Sequence, residues 1–190
     1  LGWSTAAHAA APLQLRPGGQ TLDAWPAITL LADDTLTRSA QHMLERLEQF
    51  EAPANLNGSL GVRDKHAVWL RVPLELSSTP GSPWAINLGY SSLQEVDIYL
   101  TSEGRVLQQA MLGYLRPPDI ATLSNRVPAM LLNMQPGQRY DVLIRVRTLG
   151  PMILPISVTE LPHGLYLAQR EQMLQGLLMG LAFCLLVYSL

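Results

Sequence analysis

The chain has 190 residues, 48% of them hydrophobic and only 15% charged, with a formal net charge of −2. This length suits one domain of about 150 residues with short appendages. Because 13 basic and 15 acidic residues are mixed along the chain, no positive field gathers phosphates, so nucleic acid is not an expected partner.

The first residues resemble the end of a secretory signal. Small residues flank a possible cleavage point at Ala7, Ala9 and Ala11. We therefore predict a signal-peptide remnant over 1–11, the alternative being a plain Ala-rich leader. The single cysteine, Cys184, lies near the C-terminus, so the body holds neither a disulfide framework nor a cysteine-based metal cluster.

Residues 12–162 have the pattern of a β-domain that contains one early helix. After an extended segment, 13–26, apolar positions recur at helical spacing between Leu36 and Phe50, with Thr35 or Thr37 as the predicted cap. A loop is predicted at 55–61. Strands are predicted at 27–32, 68–76, 84–89, 95–101, 105–110, 129–134, 140–148 and 153–161.

The segment 68–76 has the clearest strand pattern. Its apolar residues alternate with Trp69, Arg71, Pro73 and Glu75 on the other side. Since Pro73 cannot donate to a ladder, it predicts an edge position or a bulge. Many short strands without a βαβ rhythm predict a mainly β fold, an antiparallel sandwich.

The last segment, 163–190, changes to a helical pattern and carries its final charges at Arg170 and Glu171. We predict a lead-in and a first, truncated membrane-spanning helix here. The alternative, a buried amphipathic helix, would need a polar stripe beyond Gln175. This order predicts that 12–162 lies in the periplasm of a bacterium, tethered to the inner (cytoplasmic) membrane and coupled directly to the helix.

Several segments together carry a family resemblance: "HAVWLRVPLEL", "EVDIYLTSEGRVLQQAMLGYLRPP" and "NRVPAMLLNMQPGQRYDVLIRVRTLGPMILPISV". From about residue 25 to its end, the chain resembles the type 2 extracellular domain of bacterial seven-transmembrane receptors with diverse intracellular signalling modules. The resemblance implies a jelly-roll sandwich similar to carbohydrate-binding modules. It also implies small-ligand sensing with output by a diguanylate cyclase, a histidine kinase or a similar module.

Carbohydrate sites place flat aromatic rings against sugar faces, and Arg or Asp against hydroxyls. The candidate ligand-binding residues are Trp69, Arg71, Asp97, Tyr99, Tyr114, Arg116, Arg126 and Arg145. Arg126, just before Val127 and Pro128, also matches the pattern of the family. Two alternatives stay open: Trp69 packs beneath a loop or the early helix, and the arginines pair with neighbouring acids.

Metal and catalytic motifs are absent from the sequence. The four histidines have no ligand spacing, and Asp33 with Asp34 lies outside any EF-hand register. No nucleophile elbow, phosphate loop or dinucleotide fingerprint occurs. We therefore expect no cofactor, no metal and no enzymatic activity in this chain.

Two functional hypotheses follow. The first is a periplasmic receptor domain that senses a small ligand such as a carbohydrate and signals through transmembrane helices. The second is an interaction module that forms a homodimer or docks a partner receptor. A groove lined by Trp69, Arg71, Tyr99 and Arg126 would favour the first hypothesis. A flat apolar patch on the outer sheet, with those side chains scattered, would favour the second.

Overall fold

A computed structural model of the chain describes residues 11–18, 20–62, 66–78, 81–115 and 128–188. The predicted signal-peptide remnant therefore lies almost entirely outside the described residues. The strands are β1 (Leu13–Leu15), β2 (Thr21–Asp23), β3 (Thr29–Asp33), β4 (Ser59–Val62), β5 (Ala67–Leu76), β6 (Trp84–Leu88), β7 (Glu95–Ser102), β8 (Arg105–Leu112), β9 (Ala129–Leu132), β10 (Arg139–Arg147), β11 (Pro151–Ile153) and β12 (Ile156–Glu160). The helices are α1 (Ala40–Leu44) and α2 (Leu161–Tyr188), with 3-10 turns at Trp25–Ala27 and Leu47–Gln49.

The strands form two main sheets and one small pair. The large sheet has the order β1-β5-β10-β7-β8, and β3 also pairs with β5. The second sheet has the order β2-β12-β6-β9, while β11 pairs with β4. The pairings are antiparallel except for β1 with β5, which is parallel. The predicted mainly β fold is confirmed.

One apolar core lies between the two main sheets. The inward side of β5, from Val68 to Leu76, is buried as its alternation predicts. The second sheet contributes Trp84, Ile86 and Val158 to the same core. Burying each large aliphatic side chain in this way stabilises the fold by about 1.5–3 kcal/mol.

Two predicted boundaries are wrong, and both errors lie around β11. The predicted loop 55–61 contains the start of β4, which pairs with β11. The predicted last strand is divided into β11 and β12, because Pro155 follows Leu154 and has no N–H to continue a ladder. The N–H of Leu154 donates instead to the carbonyl of Gly58 (2.8 Å), so these two segments fix each other.

Pro73 lies within β5, which has neighbours on both sides. On one side β10 pairs continuously, with Asp141 opposite Pro73. On the other side β3 pairs as far as Arg71, and β1 begins at Leu74. Pro73 therefore faces the gap between two short partners, a local edge where the missing N–H is tolerated.

The predicted early helix exists, but it is short and has a different cap. The side chain of Ser39 accepts a hydrogen bond from the N–H of His42 (3.3 Å), so Ser39 is the N-cap of α1. Leu36, which precedes it, has a φ of 60°. This left-handed backbone interrupts the helix that the spacing predicts from Leu36.

The C-terminal helix α2 begins directly after β12 and exposes large apolar side chains, among them Met173, Leu178 and Phe183. Within the part of the chain that the structure describes, no helix is both long and apolar enough to cross a membrane. The helix predicted at 163–190 is thus present, but a membrane span there is not supported.

Candidate functional site

The outer face of the large sheet holds five of the eight candidate residues. In the strand register, Arg145 on β10 lies opposite both Trp69 on β5 and Asp97 on β7. Leu143 likewise lies between Arg71 and Tyr99. Because side chains alternate along a strand, these residues share the face that points away from the main core.

A segment that we call the strap, residues 34–50, covers part of this face. Met43 of α1 and Phe50 pack with Trp69 and Leu143 in a second, smaller apolar cluster. Trp69 is fully buried, and its ring lies 5.9 Å from that of Tyr99 with an interplanar angle of 23°. Trp69 therefore packs beneath the early helix, which is the alternative that the sequence left open, and offers no exposed surface to a ligand.

An ion pair lies beneath the same strap. Arg145 Nη1 donates to Asp97 Oδ2 at 3.1 Å, and the two side chains are only 13% and 6% exposed. Arg145 Nη2 also donates to the carbonyl oxygen of Leu36 (3.1 Å). The strained backbone of Leu36 thus directs its carbonyl at a buried guanidinium, which fixes the strap to the sheet.

Asp33 anchors the start of the strap. Its Oδ1 accepts hydrogen bonds from the Thr35 hydroxyl (2.7 Å) and N–H (3.1 Å), and Arg38 Nε lies 3.4 Å away. Burial raises the pKa of the Asp33 carboxyl, but the hydrogen bonds from Thr35 and Trp69 and the Arg38 charge together outweigh burial. The pKa of Asp33 therefore lies below its ordinary value.

We expect Asp33 to contribute to acid stability. A carboxyl whose pKa is lowered by folding stabilises the fold above its unfolded pKa of about 3.9, and this stabilisation is lost as the pH falls through the folded pKa. The free energy of unfolding should thus fall below about pH 4, and less steeply in Asp33→Asn. Urea unfolding between neutral and acidic pH measures this. Asp34→Asn, at a carboxyl that is 75% exposed, is the control and should keep the wild-type slope.

The open part of the outer face is a pocket beyond the strap, with a volume of about 550 Å³. Arg71 lines it and binds Asp141 through two bonds, Nε to Oδ1 at 2.8 Å and Nη2 to Oδ2 at 3.2 Å. Both side chains are about one quarter exposed, at 25% and 23%. A bidentate pair of this kind holds the guanidinium rigid at the surface.

The other basic group that lines this pocket, Arg139, also has an acidic partner, and Glu103 adds a second carboxylate to the lining. Arg139 Nε lies 3.4 Å from Glu75, which also accepts a bond from Gln14 (2.9 Å). Ser102 donates to the carbonyl of Arg139 (3.0 Å). The pocket therefore offers fixed donors and acceptors without a strong net charge.

Tyr114 lies at the opposite end of the sheet. Its hydroxyl accepts a bond from Gln94 (2.8 Å), just before β7 begins, whereas the Arg71 pocket reaches Ser102, where β7 ends. The eight residues of β7 span roughly 25 Å. Tyr114 lines a separate open cavity of about 500 Å³ with Tyr90 and Thr148.

The candidate residues are therefore divided among separate places. Trp69, Asp97, Tyr99 and Arg145 lie at or beneath the strap, Arg71 lines the open pocket and Tyr114 lies at the far end. Arg116 and Arg126 lie outside the described residues. Trp69, Arg71 and Tyr99 are the described members of the groove expected from the sequence, and of these three only Arg71 lines the outer-face pocket.

Sequence reasoning missed Asp141, the partner of Arg71. The alternation of β10 puts Asp141 on the same side as Arg145, and this signal was available. The pairing itself depends on the register that sets Asp141 opposite Pro73, which alternation does not specify.

For metals, the described ranges contain no cluster of three or more His, Cys, Asp or Glu side chains. Asp33 is engaged by Thr35 and Arg38, and Asp34 lies 2.9 Å from His66 Nδ1. These carboxylates thus have protein partners.

The fold and the pocket define a β-sandwich domain whose last strand runs straight into a helix. Within that class, the chain belongs to the family described as 7TMR-DISM extracellular 2, which matches residues 26–160. The match covers the strap and the lining of the outer-face pocket except for Pro12, and it ends where α2 begins. The chain is therefore an extracellular domain of a membrane-receptor family, as its sequence predicts. A comparison with curated proteins found no match.

Proposed function

We propose that the chain is the periplasmic input domain of a bacterial receptor in the inner membrane. In this proposal it senses a small ligand and signals through transmembrane helices to a cytoplasmic module such as a diguanylate cyclase or histidine kinase. Any catalysis belongs to that module. The family match supports the extracellular placement, and the jelly-roll likeness to carbohydrate-binding modules stays a prediction from the sequence.

The observation that carries the proposal is the junction between β12 and α2. Glu160 ends the strand and Leu161 begins the helix, with no linker between them. The buried Glu160 carboxylate accepts bonds from the N–H groups of Gly18 (3.1 Å) and Ser82 (3.3 Å). The N–H of Leu161 donates to the carbonyl of Pro83 (2.8 Å). A junction held in this way passes on a change in the sandwich, which a flexible linker would dissipate.

The ion pairs around the Arg71 pocket favour a ligand that is polar and carries no net charge. Because Arg71 and Arg139 already face Asp141 and Glu75, a strongly charged ligand would have to displace an existing pair. The two bonds from Arg71 to Asp141 use Nε and Nη2, and a guanidinium carries further donors on Nη1. A polyhydroxylated molecule such as a sugar supplies both acceptors and donors for this arrangement.

A thermal-shift screen against neutral sugars, amino acids and cell-wall fragments tests the ligand proposal. A ligand at about 100 times its Kd stabilises the folded form by about 2.7 kcal/mol, which raises the Tm by about 5 to 10 °C. Arg71→Met should abolish this shift. Arg147→Met, on the neighbouring β10 but outside the pocket, should keep it. If no compound shifts the Tm, or if both variants respond alike, this pocket is not the ligand site.

A second candidate function is protein interaction, and the scattering of the candidate residues favours it. The large sheet also exposes apolar side chains on β8, at Leu107 and Met111. Scattered candidate residues and an exposed apolar patch are the two features expected of an interaction module.

A further inference from the structure

The connections at one end of the sandwich form a second cavity, of about 500 Å³, which the proposed function does not use. Its lining comes from three segments: 90–94 between β6 and β7, Tyr114 just after β8, and 148–151, which leads from β10 into β11. Because β6 belongs to the second sheet and β10 to the large sheet, the cavity joins connections from both. We call it the tyrosine cavity, because Tyr90 and Tyr114 both line it.

The tyrosine cavity lies at the end of the sandwich away from α2. At one end of the second sheet, Glu160 lies opposite Trp84, and α2 follows Glu160 directly. At the other end, Ile156 lies opposite Leu88, and Tyr90 follows two residues later. In the proposed receptor α2 leads to the membrane, so the tyrosine cavity faces away from the membrane and is open to solutes.

Tyr114 is 59% exposed, yet both its backbone and its hydroxyl are fixed. Its N–H donates to the carbonyl of Leu93 (3.1 Å), and its hydroxyl accepts a bond from Gln94 Nε2 (2.8 Å). Gln94 is itself held, because its Oε1 accepts a bond from the N–H of Leu149 (2.8 Å). An exposed ring that is already held in one place loses little freedom on binding, which favours it as a platform for a ligand.

The glycine before Tyr114 allows this arrangement. Gly113 has a φ of 114°, a conformation that residues with a Cβ rarely adopt. A Cβ at this position would also collide with the backbone carbonyl of Gln94. Only glycine therefore lets the chain after β8 approach segment 93–95 closely enough for Tyr114 to bond there. The position of the Tyr114 ring thus follows from the backbone.

The lining of the tyrosine cavity carries no formal charge, since no Asp, Glu, Lys, Arg or His lines it among the described residues. The Tyr114 hydroxyl accepts a bond from Gln94 and donates to no described residue, so its proton is available to a ligand. Thr148 is similar, because its hydroxyl accepts a bond from the N–H of Gly150 (3.4 Å) and its own proton has no described acceptor.

A neutral sugar unit matches these groups. One face of a sugar ring consists of C–H groups, which pack on an aromatic ring such as that of Tyr114. The oxygens of the sugar accept bonds from the Tyr114 and Thr148 hydroxyls, and its own hydroxyls donate to those of Ser91 and Ser92 in the lining. A charged ligand would lose hydration and find no opposite charge in the lining.

We propose that the tyrosine cavity is a binding site for a neutral sugar unit, separate from the Arg71 pocket. Tyr114 supplies the stacking face, and the Tyr114 and Thr148 hydroxyls supply donors. The eight residues of β7 separate the two sites by roughly 25 Å, so one sugar unit does not contact both. The site is therefore additional to the proposed function and does not depend on it.

Saturation-transfer NMR titrations with three neutral trisaccharides test the proposal: maltotriose, cellotriose and N-acetylchitotriose. The full chain is purified in a detergent without a sugar head group, which covers the exposed apolar side chains of α2. At least one trisaccharide should bind, and Tyr114→Ala should weaken its binding about tenfold or more, because the stacking face is lost. Tyr114→Phe keeps the ring and should weaken binding less. Leu115→Ala, at the next residue, which is 61% exposed and outside the lining, should bind like the wild type.

Gly150 offers a test that leaves every contact of Tyr114 in place. It lines the cavity, a Cβ there would meet nothing within 4 Å, and its φ lies outside the left-handed region. Gly150→Leu should therefore fill the cavity without strain and weaken trisaccharide binding about tenfold or more. Gly150→Ala adds a single methyl group and should bind more tightly than Gly150→Leu. Circular dichroism confirms that each variant is folded.

The outcomes separate this site from the Arg71 pocket. Arg71→Met should leave the Tyr114-dependent binding in place. If Arg71→Met abolishes trisaccharide binding while Tyr114→Ala does not, the sugar site is the Arg71 pocket, so this proposal fails and the proposed function stands. If no trisaccharide binds, or if a proline-rich peptide binds in a Tyr114-dependent way instead, the sugar site is wrong. Binding that survives Gly150→Leu unchanged would contradict it as well.

Discussion

Arg145→Met is expected to lower the free energy of unfolding by about 3 kcal/mol, since removing one partner of a buried pair leaves the other charge uncompensated. Asp97 would stay buried at 6% exposure without its guanidinium. The carbonyl of Leu36 would lose its donor as well, so the strap should loosen. Urea unfolding measures the loss, and hydrogen exchange of residues 34–50 measures the loosening.

Arg147→Met is the matched control for this prediction. Arg147 lies two residues further along the same strand and the same face, but its contact with Glu95 is 3.7 Å long and the side chains are 44% and 27% exposed. Exposed pairs contribute little, so we expect a loss below about 1 kcal/mol. Adding Asp97→Asn to Arg145→Met should restore part of the stability, because the buried charge is then removed. Similar losses for Arg145→Met and Arg147→Met would show that the strap does not bury the Arg145 pair in solution.

Trp69→Ala is expected to cost about 3–5 kcal/mol, because it leaves a cavity among Met43, Phe50 and Leu143. It should also make the strap more susceptible to proteases, since α1 would lose the large side chain against which it packs. Trp69→Phe, which keeps a ring to stack on Tyr99, should cost clearly less. Thermal unfolding and limited proteolysis measure both effects.

Leu56→Ala, at an exposed loop position, is the control for Trp69→Ala and should change stability by about 0.5 kcal/mol or less. If Trp69→Ala were equally mild while a ligand-induced Tm shift disappeared, Trp69 would be a ligand platform and the buried position would be contradicted.

The alternation of side chains along each strand predicted correctly which residues share a face, because this alternation follows from the local geometry of a strand. Val68, Leu70 and Val72 had to share a face, and Trp84 had to lie in phase with Ile86, whatever the partners were. The small strand β4 was missed because its main support is β11, which lies far away in the sequence. Strand pairing of this kind depends on tertiary contacts that a local pattern does not contain.

The candidate site was predicted only in part. The outward positions of Trp69, Arg71 and Arg145 follow from alternation, but exposure does not follow from facing outward. The strap buries Trp69, and it is held there by a left-handed Leu36 that helical spacing does not reveal. The position of Asp141 beside Arg71 required the register between β10 and β5.

The gap at Pro73 separates two attachments along one side of β5. A force applied to the chain before residue 12 would act first on β1. The three residues of β1 pair with Leu74–Leu76, and these pairs would break one at a time. The next pairing along the chain is that of β2 with β12, so the force would then act on the second sheet and not across Pro73 on β3. Tension from the amino-terminal side thus reaches the strand that ends at Glu160 before it reaches the strap.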